Sequence, residues 1–129
     1  MKKKNLHLII SILIIFPVAL IYGFNPNGIL TNTFNFKIDA INLANIFKAV
    51  MGLYFSVSIF WLIGIIKPQL WTTATLVNIL FMGGIVFGRL ISLILDGIPS
   101  YIFLIGLCLE TLLATWGIFN LKKYNQLTN

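Results

Sequence analysis

Residues 70–121 read LWTTATLVNILFMGGIVFGRLISLILDGIPSYIFLIGLCLETLLATWGIFNL. Two apolar runs flank Asp96-Gly97-Ile98-Pro99-Ser100, where several turn-forming residues stand together. Crossing about 30 Å of hydrocarbon takes roughly 20 residues at 1.5 Å each, and both runs are long enough. The stretch therefore predicts two membrane-spanning helices joined by a tight turn. Working outward, residues 43–66 form a third apolar run closed by Lys67-Pro68, and residues 6–24 a fourth, with Pro17 as an expected kink. Spans at 6–24, 43–66, 70–95 and 101–121 predict an all-α protein, a four-transmembrane-helix bundle with antiparallel, up-down topology. Residues 1–129 read as a single integral membrane domain. Only residues 25–42, opened by Asn25-Pro26-Asn27-Gly28, read as a substantial loop.

Composition leads to the same place. The chain is 59% hydrophobic and 9% charged, whereas soluble domains carry about 25% charged residues. A mean hydropathy of +0.98 makes lipid the solvent for most of a 14.5 kDa protein. A soluble enzyme domain, a disordered tail and a nucleic-acid-binding module are excluded. The first run also has the outline of a secretory signal peptide. Its apolar core is longer than such peptides use, and no small-residue cleavage site follows, so it is expected to stay as a span.

The net charge of +6 comes from nine Lys and Arg against three Asp and Glu. In a soluble protein it would suggest a polyanionic partner. Here the lysines flank the spans and orient them. With the N-terminus inside, Lys2, Lys3, Lys4, Lys67, Lys122 and Lys123 are cytoplasmic, and only Lys37 falls in an outer loop, near Asp39. Both termini are thus expected on the cytoplasmic side of a bacterial inner membrane. Trp71, Trp116, Tyr101 and Tyr124 near the span ends are expected interfacial anchors, and His7 an interfacial residue. The single Cys108 permits no internal disulfide.

Charges left inside the spans are the candidates for function, because each is costly in lipid and must face the protein interior, pair or reach the interface. They are Lys48, Arg89 and Glu110, with Asp96 at the rim. Arg89 precedes Asp96 by seven residues and lies about 10 Å below the outer rim. Glu110 follows Tyr101 by nine, roughly 13–14 Å down the next helix. Ser92 shares a helix side with Arg89 and Asp96, and Asn45 stands one turn before Lys48. Gly84, Gly88 and Ser92 on one helix and Gly106, Ala114 and Gly117 on the next recur at spacings that suit close helix packing. The expectation is that these stripes face each other with Arg89 and Glu110 at the seam.

Two readings of that cluster stand side by side. One is a charge-neutral network of Lys48, Arg89, Asp96 and Glu110 that only fixes helix packing. The other is an outward-facing site that binds or passes an ion, a small polar or anionic ligand, or a lipid head group. Asn78 is expected to hydrogen-bond between helices, and Asn45 to cap its helix or extend the cluster. No catalytic motif, metal-ligand set or cofactor fingerprint is present. The partners implied are the bilayer, a possible polar ligand and a second copy through the glycine stripe.

Residues 42–54 (NLANIFKAVMGLY) and 78–100 (NILFMGGIVFGRLISLILDGIPS), followed by Glu110, resemble bacterial domain-of-unknown-function family 4345. The run Gly88-Arg89-x-x-Ser92-x-x-x-Asp96-Gly97-x-Pro99-Ser100 is the most specific part. The resemblance implies a small integral membrane protein of four helices and brings no activity with it. Related proteins often carry Arg where this chain has Lys48, which keeps the charge but loses the bidentate fork. A looser similarity is to DoxX-like four-helix membrane proteins.

Overall fold

The computed structural model describes residues 3–34 and 40–125, so Lys2, Lys37 and Asp39 lie outside the described residues. After a 3₁₀ turn at Lys3–Asn5 come α1 (Leu6–Gly23), α2 (Pro26–Phe34) and α3 (Ile41–Ile66). A second 3₁₀ turn, Pro68–Leu70, leads into α4 (Trp71–Leu95), and α5 (Tyr101–Asn125) completes the chain. Four helical stretches are long and apolar enough to cross a membrane: Lys3–Gly23, Ile41–Ile66, Pro68–Leu95 and Tyr101–Tyr124. The molecule is an all-helical, multi-pass membrane protein.

One expectation fails at the first connection. Residues 26–34, read as loop, form α2. The residues taken as turn signals are helix-start signals as well. Pro26 opens the helix with its φ already fixed, and the Asn25 side chain accepts a hydrogen bond from the Gly28 N–H at 3.1 Å. At the other connection, Asp96 closes α4 through its N–H to the Ser92 carbonyl at 2.8 Å. Gly97 follows at φ 98°, a left-handed conformation that glycine adopts without strain.

Helix α1 packs along α3, α4 along α5, and α3 joins the two pairs through α4. Phe16 meets Phe55, Tyr22 meets Phe47 and Tyr54, and Tyr54 and Trp61 both meet Phe81 edge-on. The buried core is Leu8, Ile15, Trp61, Trp71, Ala74, Met82 and Leu113. Outside it, Leu80, Ile94 and Phe119 are among many large apolar side chains left open, which in a bilayer is contact with acyl chains. Trp71 departs from expectation, being 3% exposed and turned into the bundle rather than lying at its surface.

The glycines sort differently from the expected stripes. A Cβ on Gly64 would overlap Ala74 of α4, and one on Gly117 would lie 2.8 Å from Ile79 Cγ1. Gly84 and Gly88 have open space where a side chain would go. The buried side of α4 runs through Trp71, Thr75, Asn78 and Met82. At about 100° per residue, Gly84 is turned roughly 160° away from Met82 and Gly88 about 120°. Hence α4 meets α5 through Gly106 and Gly117, and not through its own glycines.

Gly64→Leu should therefore lower the thermal midpoint in detergent, at a cost of about 1–3 kcal/mol for overpacking. Gly84→Leu should stay within about 0.5 kcal/mol of the parent. Thermal unfolding of the two purified variants checks the contrast, and equal losses would contradict it.

Candidate functional site

Arg89 on α4 and Glu110 on α5 face each other about two to two and a half turns below the Asp96–Ser100 connection. Arg89 Nε donates to Glu110 Oε2 at 2.8 Å and Nη2 donates to Oε1 at 3.0 Å. The pair is bidentate, the strongest geometry a guanidinium and a carboxylate can adopt. The Glu110 side chain is 9% exposed and that of Arg89 23%. Gly106, one turn before Glu110, lies beside the guanidinium: a Cβ there would be 3.4 Å from Nη2, in van der Waals contact. Phe103 packs on the outer side, its ring centroid 5.5 Å from Arg89 Cζ.

Two tyrosines complete this end, and the sequence reading missed both. Tyr22 of α1 lines the same cavity as Arg89 and Glu110, and Tyr54 of α3 lies against Tyr22 with ring centroids 5.9 Å apart. Each sits within an apolar run, where a phenol hydroxyl needs a polar partner. That was the available signal.

Other residues of the expected cluster lie elsewhere. Ser92 donates to Asp96 Oδ2 at 2.8 Å, and both are exposed at the end of α4. Lys48 and Asn45 are exposed on α3. Among the described residues neither has a hydrogen bond or an ion pair. Helix geometry gives the reason: α3 turns Tyr54, Ser58 and Trp61 inward, and Lys48 is about 120° and Asn45 about 180° around from Tyr54. The charges thus form one pair and one rim contact in place of a four-membered network.

Open space adjoins the pair on both sides. A cavity of about 200 Å³ reaches Arg89, Glu110, Tyr22 and Tyr54, and its apolar walls include Ile14 and Val18 of α1 and Ile105 and Leu109 of α5. A second, of about 250 Å³, lies beyond Phe103 toward Ser92 and Pro99. A third, of about 410 Å³, continues along α1 and α5 past Ile10, Leu112 and Trp116. The first and third make a groove in the seam between α1 and α5, polar where it meets Arg89, and the second lies between α4 and α5.

At the opposite end a second polar group is buried. His7 is fully buried, its Nδ1 2.9 Å from Asn120 Nδ2, with the Trp71 ring edge-on at 6.1 Å. It is therefore part of the interior and not of the interface. Ser11, Ser58, Thr75 and Asn78 are buried too, and among the described residues their side-chain polar atoms have no hydrogen-bond partner. Asn78 was expected to bridge helices; neither of its amide atoms does. Among the described residues no three His, Cys, Asp or Glu side chains gather as a metal ion would need.

The domain of unknown function DUF4345 matches residues 4–121. This chain belongs to that family. DUF4345 thus covers all four apolar helices, including Arg89, Ser92, Asp96 and Glu110 in the run that suggested the resemblance. Neither a curated protein nor a solved structure matches this DUF4345 chain.

Arg89→Met or Glu110→Gln should each cost roughly 1.5–3 kcal/mol, since each leaves a desolvated partner unpaired. The double variant should recover a good part of that loss. Unfolding of all four proteins in detergent measures the coupling, and strictly additive losses would show that the pair is not an energetic unit.

Proposed function

We propose that this chain binds an amphipathic molecule from the lipid phase, its polar head at Arg89, Glu110, Tyr22 and Tyr54 and its apolar part along the α1–α5 groove. In this reading the helices are antiparallel, both termini are cytoplasmic, and the membrane is a bacterial inner membrane. The Arg89 end then lies in the outer half of the bilayer. The orientation rests on the lysine asymmetry.

The observation that carries the binding reading is the cavity of about 200 Å³ that joins the ion pair to the seam between α1 and α5. Ligand sites are mostly apolar, with a few convergent polar groups that fix orientation. Here Nη1 of Arg89 remains beyond the two bonds to Glu110, and the tyrosine hydroxyls add further donors. Glu110 neutralises the guanidinium, so the head best suited is one with acceptor oxygens and little net charge. A bare polyanion is a poor fit. No nucleophile and base stand together at this site, so the role is binding rather than catalysis. The second reading, a structural accessory protein, is favoured by the bidentate closure of Arg89 on Glu110, which needs nothing more to be satisfied.

Val18→Trp separates the two, because it fills the groove without touching the ion pair. Under the binding reading, mass spectrometry of lipid extracts should find an amphiphile that co-purifies with the parent and falls at least about tenfold in the variant, a loss of roughly 1.4 kcal/mol. An unchanged extract would leave only the structural reading. For orientation, a reporter fused after Lys123 should be active in the cytoplasm, and activity outside would reverse the topology.

A further inference from the structure

The lysine-rich end holds a cavity of its own, of about 180 Å³, lined by Lys4, Asn5, Gly64, Ile65, Pro68 and Trp71. We propose that it binds the head group of an anionic phospholipid whose head also carries hydroxyl groups. This inference is independent of the groove near Arg89.

Two of its lining residues each carry a buried polar atom that lacks a partner among the described residues: Trp71 Nε1, a donor, and Asn5 Oδ1, an acceptor. Trp71 is 3% exposed and Asn5 8%. Burying such groups unpaired is costly, the more so where no water enters from the bilayer. A phosphate supplies the acceptor that the indole N–H needs, and a head-group hydroxyl supplies the donor that the Asn5 carbonyl needs. A metal cation would meet the indole N–H with the wrong sign, and a fully apolar occupant would leave both atoms unpaired.

Charge selects the same ligand. Lys4 Nζ stands 4.6 Å from the centre of the Trp71 ring, at the cavity wall. Lys67 directly precedes Pro68, and Lys3, Lys122 and Lys123 lie at the same end of the bundle. Among the described residues the acids are Asp96 and Glu110, both at the other end. Helices α1 and α4 begin here with no acidic residue in the first turn and no side-chain cap. Helices α3 and α5 end here, so the helix dipoles largely offset and the lysines set the field. Basic pockets between helices at a membrane face suit lipid head groups. Leu62 and Ile66 are exposed on the adjoining turns of α3 and give acyl chains an apolar surface.

Phosphate from solution shares this chemistry, and the experiment distinguishes the two sources. Thermal midpoints of the full chain in a neutral detergent are measured with phosphatidylglycerol, phosphatidylcholine or inorganic phosphate added. Phosphatidylglycerol should raise the midpoint by several degrees, and the other two should not. Lys4→Gln and Trp71→Phe should each weaken the apparent affinity for phosphatidylglycerol about tenfold, the loss of one charge-assisted or buried hydrogen bond. Lys4 lies at the edge of the fold, so Lys4→Gln keeps the test decisive if Trp71→Phe does not fold. Equal shifts with both lipids, or a phosphatidylglycerol shift retained in Lys4→Gln, would overturn the site. An equal shift with inorganic phosphate would overturn the lipid source.

Discussion

Hydrocarbon offers no hydrogen bonds, and this constraint accounts for most of the structure. The backbone answers it by closing on itself as helices within the spans. Side chains answer it by pairing: Arg89 and Glu110 are at compatible depths on consecutive helices, so each becomes the other's solvent. The guanidinium lies against α5 at Gly106, where a Cβ would be in van der Waals contact with it. Their pairing requires the short Asp96–Ser100 turn, which sets the depth of one helix against the other.

The same constraint explains which parts of the fold were legible in the sequence. Helix extents followed from apolar run length, since a span must match the bilayer. Opposite Arg89, Glu110 was legible by depth alone, from a count of residues to a shared turn. Facing was harder. Gly84 and Gly88 have a spacing that suits close packing, yet they point outward, because a helix with apolar residues on every side carries little record of which side is buried. Lys48 misled for a related reason: depth put it beside Arg89, and rotation about α3 took it away. Asn25-Pro26-Asn27-Gly28 serves a turn or a helix start equally well, and only the following residues decide between them.

His7 shows a different limit. Near a chain end and a span boundary, a histidine usually meets water, and nothing local distinguishes it from one that is buried. Its burial depends on Asn120, 113 residues away, on Trp116 of the same helix α5, and on Trp71 of α4. Contacts of that kind are set by how the helices assemble, and no short stretch of sequence contains them. The polar residues of both ends share this origin. Each set is supplied by several helices, so neither is contained in one contiguous run.

The seam between α1 and α5 has a further consequence, for the order in which the molecule comes into being. Helices α1 and α3 can associate while the ribosome is still making α4, but α1 meets α5 only after the last span has been synthesised. The groove between them, and the Asn120–His7 contact at its end, are therefore the youngest parts of the protein. Until that moment α1 exposes to lipid the flank that will later line the groove. A chain truncated before α5 would present that flank permanently, with Arg89 left in the bilayer without its carboxylate.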